Sequence, residues 1–337
     1  MRDFSFLRMA FVVGFALLVA GPAFATFPGK NGRIAFVHDG EIFTMNPDGT
    51  AVRQITHVGP DTSANWPSWS ADGRAIVFNE TPSSGVSELW IMNADGSNPH
   101  LLLSEQNFSA NRPSFSPDGA RVVFGRCDLL VGDGDTCAIY TVSSDGTDLR
   151  SVTQFLRDTT ARSPMYSPDG KTIAFILSND SAAGFLGVTY LIDADGSNQR
   201  RITEPAPCLI RPDWSPDGER ITLFAHLCNP ENETIAVMNA DGANVRYLTD
   251  NGRDFYNGSH DRNPAFSPDG QFIVFERNPP DLSSSALYVM RSDGKELESV
   301  LLLPRRKPGA RQLSRTRRRL TKIEEGGSVP RWGVAPQ

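Results

Sequence analysis

A short phrase recurs five times along this chain and constrains its fold more than any other feature. The turn serines of the copies, from Ser70 to Ser267, are 46 to 52 residues apart. A period near 50 residues with several short strands per unit is typical of a β-propeller or another repeat array. The copies are WPSWSADGRAIVF from Trp66, RPSFSPDGARVVF from Arg112, SPMYSPDGKTIAF from Ser163, RPDWSPDGERITLF from Arg211 and NPAFSPDGQFIVF from Asn263.

A second phrase follows each copy, as in WIMNADGSNPHLLL and YVMRSDGKELESVL. The two phrases together predict four strands per unit. These are a Pro-x-aromatic strand, a strand after the SPDG turn, a strand before the second DG, and a strand that ends at a hydrophobic-Thr pair. In S-P-D-G, the proline presets φ and the glycine supplies the left-handed position of a hairpin turn.

The two ends of the repeat array complement each other. Five units are complete, but the first piece, GRIAFVHDGEIFTMNPDGTAVRQIT, lacks the first strand of a unit. The segment VPRWG at 329–333 aligns with WPSWS at 66–70 and supplies that strand. We therefore predict an all-β, six-bladed propeller of four-stranded antiparallel blades, closed by the strand at 329–333 joining the N-terminal blade. Such closure removes exposed sheet edges.

The first 25 residues have the pattern of a secretory signal peptide. Arg2 and Arg8 flank the start, residues 11–20 are apolar, and Ala23 and Ala25 form an A-x-A cleavage site. A membrane-spanning helix needs about 20 apolar residues, so this run is short. We predict a signal peptide at 1–25 and a single propeller domain at 26–337, secreted or periplasmic, monomeric and not transmembrane after cleavage. A retained anchor is the alternative.

The four cysteines form two local pairs, Cys127 with Cys137 and Cys208 with Cys228. An even number of cysteines in an exported chain favours disulfides, and neither pair has the C-x-x-C spacing of zinc or redox sites. We predict one structural bridge per pair, each clamping a hairpin and contributing about 1–4 kcal/mol through loop closure.

The SPDG and xxDG phrases resemble the repeats of TolB-type propellers, which also occur in the propeller domains of prolyl oligopeptidase and dipeptidyl peptidase relatives. The resemblance extends from about Gly29 to Trp332. The chain departs from periplasmic TolB, which has an additional N-terminal α/β domain, because the repeats here begin just after the predicted cleavage site. The resemblance therefore implies a binding propeller without implying TolB's own role.

Signatures of catalysis are largely missing from the sequence. It contains no G-x-S-x-G, H-E-x-x-H or Gly-rich phosphate loop, and no residues remain for the separate hydrolase domain of the peptidase relatives. We predict a non-catalytic protein with no required cofactor. Two alternatives stay open: a structural calcium ion held by residues 132–135 and Asp128, and a channel-metal-dependent hydrolase or polysaccharide lyase on a propeller scaffold.

The residues around the motif proline give the strongest functional signal. They lie at one end of the innermost strands, so their side chains should gather at one mouth of the channel. Arginine forks suit carboxylates. We therefore predict a channel-mouth site for a protein or peptide partner, one that bears a carboxylate. The alternative is that the arginines brace acidic turns between blades. The site comprises Arg112, Arg162, Arg211 and Arg262, with Trp66, Asn65, Asn111 and Asn263.

The charge of the chain is unevenly distributed. The net charge is −6, yet residues 304–322 hold nine Lys or Arg and no acid, which with the +1 of the signal leaves −16 on the rest. This basic insert, about 304–320, interrupts the sixth unit: either RRRLT is its fourth strand, or ESVLLL is and the insert follows. The insert could contact an anionic surface or the acidic body. Nucleic acid is not an expected partner of an exported, acidic protein.

Overall fold

The structure, a computed structural model, describes residues 27–130, 136–155, 159–179, 186–204, 208–226, 233–249, 259–278, 284–304 and 329–336. These residues form 24 β-strands and no helix. The strands are β1 (Asn31–His38), β2 (Glu41–Met45), β3 (Arg53–Gln54), β4 (Ser63–Trp69), β5 (Ala75–Thr81), β6 (Glu88–Asn93), β7 (His100–Leu103), β8 (Phe108–Phe115), β9 (Arg121–Asp128), β10 (Thr136–Ser143), β11 (Arg150–Ser151), β12 (Thr159–Tyr166), β13 (Thr172–Asn179), β14 (Leu186–Asp193), β15 (Arg200–Arg201), β16 (Cys208–Trp214), β17 (Arg220–His226), β18 (Thr234–Asn239), β19 (Arg246–Tyr247), β20 (His260–Phe266), β21 (Phe272–Asn278), β22 (Ser284–Arg291), β23 (Glu298–Pro304) and β24 (Arg331–Val334).

The strands pair into sets of four, each set corresponding to one repeat unit of the sequence. Set 1 has the order β24-β1-β2-β3, and set 2 the order β4-β5-β6-β7. Sets 3 (β8–β11) and 4 (β12–β15) form one eight-stranded sheet because a single parallel pair, Cys137 with Thr160, joins them. Sets 5 (β16–β19) and 6 (β20–β23) complete the series. Pairing within every set is antiparallel.

The first strands of the sets contact one another in a closed circle. β24 contacts β4, and the contacts continue through β8, β12 and β16 to β20, which contacts β24. β24 pairs with β1, with Trp332 opposite Ile34 and Arg331 opposite Ala35. The predicted all-β propeller of antiparallel four-stranded blades, closed by the strand at 329–333, is therefore confirmed.

The hydrophobic core consists of layers between consecutive sets. One layer joins Ala35 and Val37 of set 1 to Ile76 and Phe78 of set 2. The layer between sets 1 and 6 contains Trp332. Because each blade packs on both sides, its central strands are apolar on both faces and lack the alternation of a half-exposed sheet.

The SPDG phrase forms the turn that its residues predict. In the copy of set 3, the Gly119 backbone N–H donates to the Ser116 carbonyl at 2.9 Å, and Gly119 has φ +69°. The Ser116 hydroxyl donates to Asp118, which also accepts from the Ala120 backbone N–H. The hydrogen bond from Ser116 is the main cause that lowers the pKa of Asp118. The aspartate therefore serves as a turn former.

The innermost strands begin earlier than the Pro-x-aromatic motif alone predicts. β4 begins at Ser63, three residues before Trp66, and β8 begins at Phe108, four residues before Arg112. The residues ahead of the motif pair with the second strand of the set, for example Phe108 with Asp128. The residues around the motif proline consequently lie inside the channel, and not at the strand starts that form its mouth.

The predicted bridge between Cys127 and Cys137 is confirmed. The two residues lie directly opposite each other on β9 and β10, and their Cα atoms are 4.0 Å apart. Cys228 lies outside the described residues, so the bridge between Cys208 and Cys228 stays a prediction.

Strand β23 decides between the two alternatives for the sixth unit. Its residues Glu298–Pro304 pair with β22, so ESVLLL forms the fourth strand and the basic insert follows it. The insert beyond Pro304, the predicted signal peptide at 1–25 and the loop at 132–135 lie outside the described residues. Within the described part of the chain, no helix is long and apolar enough to cross a membrane.

Candidate functional site

The residue before the motif proline has a left-handed backbone in five sets. At each position the register between the first and second strands also shifts, which marks a β-bulge. A positive φ is costly for a bulky residue, and the following proline fixes its own φ. A bulge re-aims a side chain relative to the regular pleat. The φ angles are 54° at Trp66, 54° at Arg112, 53° at Ser163, 58° at Arg211 and 54° at Asn263.

Four of these bulge residues line one cavity in the central channel. Its volume for water-sized groups is about 20 Å³, which is room for one or two such groups. Among the lining residues, all within the described ranges, the charged side chains are three arginines, and none is an acid. The lining consists of Trp66, Arg112, Ser163 and Arg211, the prolines that follow each of them, Met165 and Arg331.

Two guanidinium groups meet at one indole ring in this cavity. The Cζ atom of Arg112 lies 4.1 Å from the centroid of the Trp66 ring, and the Cζ atom of Arg211 lies 5.1 Å from it. The three residues come from sets 3, 5 and 2, so they converge from different sides of the channel. A cation over an aromatic face gains about 0.5–2 kcal/mol, the larger value when water is excluded.

Each of the two arginines donates a hydrogen bond to a side chain of the next set. Arg112 donates from Nη1 to the Ser163 hydroxyl, and Arg211 donates from Nη1 to the Asn263 side-chain oxygen. Asn263 in turn donates to buried Glu276 at 3.3 Å, which orients its amide with the oxygen toward Arg211.

The third cavity arginine, Arg331, comes from the strand that closes the ring. Its Nη1 atom lies 3.5 Å from Oδ1 of Asp213, and its side chain is 20% exposed. Burial lowers the pKa of Arg331, and the charge of Asp213 opposes that shift. The sequence pattern did not indicate this residue, because the predicted site used only the residue before the motif proline and the residue one position earlier. Arg331 follows the proline, at the same repeat position as Met165, which also lines the cavity.

The other predicted site residues lie one position earlier and are not among the residues that line the cavity. Asn65 donates to Ser63 at 2.9 Å, and Asn111 lies 3.5 Å from the sulfur of Cys127. Arg162 is opposite Ile176 in the pairing of β12 with β13. Arg262 donates from Nη2 to buried Glu233 at 2.8 Å and also from Nε. The ion pair of Arg262 with Glu233 agrees with the alternative in which the arginines brace acidic turns between blades.

The cavity lies about midway along the innermost strands. Three or four strand residues precede the bulge residue in each set, and about three follow it before the SPDG turn. A strand rises about 3.3 Å per residue. The Cα atoms of the bulge residues therefore lie roughly 10–13 Å along the strand from its start and roughly 10 Å from its end.

These features define a class of protein: a β-propeller with an arginine-lined cavity inside its central channel. The chain belongs to the TolB beta propeller domain family, whose model matches residues 100–306. In the solved structures, TolB from Acinetobacter baumannii superimposes with a TM-score of 0.65 at 22% identity, over 90% of this chain and 67% of that one.

Two further relatives are enzymes by name. An uncharacterized peptidase, YuxL of Bacillus subtilis, is 26% identical over 160 residues, which is 38% of this chain and only 24% of that protein. An oligogalacturonate lyase in complex with manganese has a TM-score of 0.54 at 17% identity, over 80% of this chain and 77% of that one. At that identity the structural match shows the fold alone. Within the described residues, no group of three or more His, Cys, Asp or Glu side chains could hold a metal ion.

Proposed function

We propose that this protein is an exported, six-bladed, non-catalytic binding module that takes a carboxylate-bearing protein or peptide into its channel. The observation that carries the proposal is the convergence of Arg112 and Arg211 on Trp66, in a cavity whose third cation is Arg331. Guanidinium groups form charge-assisted, often bidentate hydrogen bonds with carboxylates. Their positive potential is focused inside a body that is acidic overall, which favours entry of an anion.

The lining of the cavity supports binding rather than catalysis. Arginine, tryptophan, proline, serine and methionine line it, and none of these lining residues is a His, Cys, Lys or acid suited to general acid–base work near neutral pH. The wall prolines and the left-handed bulge residues restrict the backbone from which the arginines project. Such preorganisation reduces the entropy lost on binding.

The test is a pull-down from envelope extract with the purified protein and its Arg112→Gln/Arg211→Gln variant. A protein partner held through a carboxylate should be retained by the wild type and lost from the variant, because a hydrogen bond to a charged group contributes about 1.5–3 kcal/mol. The matched control is Arg150→Gln/Arg201→Gln, which removes two exposed arginines of the outer strands. Equal retention by the two double variants would overturn the proposal.

The polysaccharide lyase alternative has one observation in its favour. A uronate sugar carries a carboxylate that the same arginines could bind, and a relative in the solved structures is named an oligogalacturonate lyase. Incubation of the metal-supplemented protein with oligogalacturonate, followed by detection of the unsaturated product, tests this function. Product formation that is lost in Arg112→Gln would favour the enzyme over the binding module.

A further inference from the structure

We infer that a partner enters the channel from one side only. The entrance is the strand-start mouth, formed by the starts of the innermost strands, because segments from both ends of the repeat array close the turn mouth, the end of the channel beside the SPDG turns. The inference deepens the proposed function and rests on it, since it names the face on which a carboxylate-bearing protein or peptide docks. The packing of Phe27 carries the inference.

Phe27 precedes β1 and has partners on two sides of the ring. It is only 8% exposed. Two residues later, the backbone N–H of Gly29 donates to the carbonyl of Pro268, in the SPDG turn of set 6, at 3.2 Å. Phe27 itself belongs to one cluster of packed apolar residues that includes Tyr166 of set 4 and Val334 of set 1. The segment at Phe27 and Gly29 is therefore attached to sets 1, 4 and 6.

The order of the sets places these attachments on opposite sides of the channel. The first strands contact one another in a circle from set 1 to set 6, so set 1 faces set 4 and set 6 faces set 3. The cluster that contains Val334 of set 1 otherwise consists of residues from sets 3 and 4, together with Phe27. Phe27 is the member that precedes every strand, so its ring is the group that can bridge the channel.

The C-terminal segment fills the same end of the channel. The backbone N–H of Ala335 donates to the carbonyl of Lys30 at 2.9 Å, which ties the two segments together. A Cβ atom added at Gly29 would lie 2.7 Å from Cγ1 of Val334, and one added at Gly73, in the turn of set 2, would lie 2.2 Å from the Val334 carbonyl oxygen. Even one added carbon would collide at these two positions, so no gap for a ligand remains there.

The SPDG turns also narrow the turn mouth. The turn glycines of sets 4, 5 and 6 each face the turn proline of the preceding set, with an added Cβ atom 3.4–3.7 Å from it, which is ordinary van der Waals contact. In set 2, Ala71 stands in place of that proline and packs against the cluster that contains Phe27. The turn mouth is thus bordered by turns that touch one another and by side chains that pack on the bridging cluster.

The lengths of the connections distinguish the two mouths in the same way. At the turn mouth, the connection between the first and second strands has five residues in each of sets 2 to 6, as at 116–120. At the strand-start mouth, the connection between the second and third strands varies from two residues, 39–40 in set 1, to seven, 129–135 in set 3. In repeat proteins, insertions that gather on one face often mark the binding face. This variation therefore favours the strand-start mouth as the docking face.

The experiment blocks each mouth in turn. Asp61→Cys places a thiol at the strand-start mouth, because exposed Asp61 comes two residues before β4. Lys171→Cys places one at the turn mouth, next to Gly170, where the Lys171 side chain is 83% exposed. Each thiol is coupled through a maleimide to a long polyethylene glycol chain. The probe is fluorescein-labelled pentaglutamate, and its association rate with each conjugate and each uncoupled variant is measured by stopped-flow fluorescence anisotropy.

We expect the conjugate at Asp61→Cys to bind the probe about tenfold or more slowly than its uncoupled variant, because access to the docking face limits association. The conjugate at Lys171→Cys should differ from its uncoupled variant by less than about twofold. Comparison with the uncoupled variants removes the effect of the altered charge. If the conjugate at Lys171→Cys is slowed as much as the other, or if neither is slowed, the inference is overturned.

A separate result decides the proposed function. If pentaglutamate fails to bind the unmodified protein, or binds Arg112→Gln/Arg211→Gln equally tightly, carboxylate binding in the channel fails and the inference fails with it. If the probe binds through these arginines but enters past the turn mouth, the proposed function stands and only the inference is wrong.

Discussion

The ion pair between Arg331 and Asp213 shows how single residues are held inside the channel. Asp213 is 5% exposed in its side chain, and its Oδ2 atom accepts the backbone N–H of Phe266 at 2.9 Å. One carboxylate thus binds a guanidinium from set 1 and a backbone group from set 6, while its own strand belongs to set 5. Removing one partner of a buried pair leaves the other charge without compensation, which is costly.

We expect Asp213→Asn to lower the free energy of unfolding by about 2–4 kcal/mol, because the neutral amide leaves the Arg331 charge uncompensated. Urea denaturation measures the change. Glu204→Gln is the control: its ion pair with Arg201 is exposed, so its effect should stay below about 1 kcal/mol. Similar midpoints for the two variants would show that the pair at Asp213 does not stabilise the ring.

At the scale of the elements, the turns between strands also connect neighbouring sets. Gly96, in the second turn phrase of set 2, has φ +86°, and a Cβ atom added there would lie 2.3 Å from the carbonyl oxygen of Ile55 in set 1. Gly119, in the SPDG turn of set 3, has φ +69°, and nothing lies within 4 Å of an added Cβ atom. The two glycines share a backbone conformation but differ in how closely another segment approaches.

The comparison of Gly96→Ala with Gly119→Ala separates the cost of the left-handed backbone from the cost of the close contact with Ile55. Gly119→Ala should cost about 1–2 kcal/mol of stability from the left-handed conformation alone. Gly96→Ala should cost clearly more, because the Ile55 backbone must also move. Thermal and urea unfolding of the two variants measure the difference. Equal losses of stability in the two variants would mean that the Ile55 backbone moves aside without a measurable cost in free energy.

The turns could be predicted from the sequence, whereas the bulges could not. Ser116, Asp118 and Gly119 satisfy one another locally, so their pattern identifies the turn. The residue before a proline ordinarily favours extended conformations, so the left-handed backbone of Arg112 is set by tertiary packing. For that reason the sequence indicated arginines at the channel mouth, while the structure places Arg112 and Arg211 inside it. Arg331 enters the cavity through a strand pairing that local sequence does not reveal.

At the scale of the whole molecule, the ring depends on one seam, the pairing of β24 with β1. Trp332 is 8% exposed and stacks on Phe272 of set 6 with ring centroids 6.4 Å apart. It packs in the same layer as Ile34 and Phe36 of set 1. The seam therefore joins the two ends of the repeat array and also delivers Arg331 to the cavity.

We expect Trp332→Ala to lower the free energy of unfolding by about 3–5 kcal/mol, because the cavity left at the seam cannot be filled locally. It should also weaken binding of a carboxylate-bearing partner in the channel, because β24 carries Arg331. Trp90→Ala, at a partly buried position within set 2, is the control and should leave peptide binding unchanged at temperatures where it is folded. Intact binding by folded Trp332→Ala would show that the seam and the cavity are independent.

The seam also has a consequence for the rate at which the ring assembles and opens. Ile34 and Trp332 face each other across a separation of 298 positions, whereas the strands of sets 2 to 6 pair with neighbours in the chain. Contacts between distant residues form slowly because a long loop must close first. We expect the local hairpins to form early and the seam to form last, visible as a slow refolding phase that Trp332→Ala alters and Trp90→Ala does not. Separation of β24 from β1 would be the first step of unfolding. The rate of this separation would therefore limit the lifetime of a peptide in the channel.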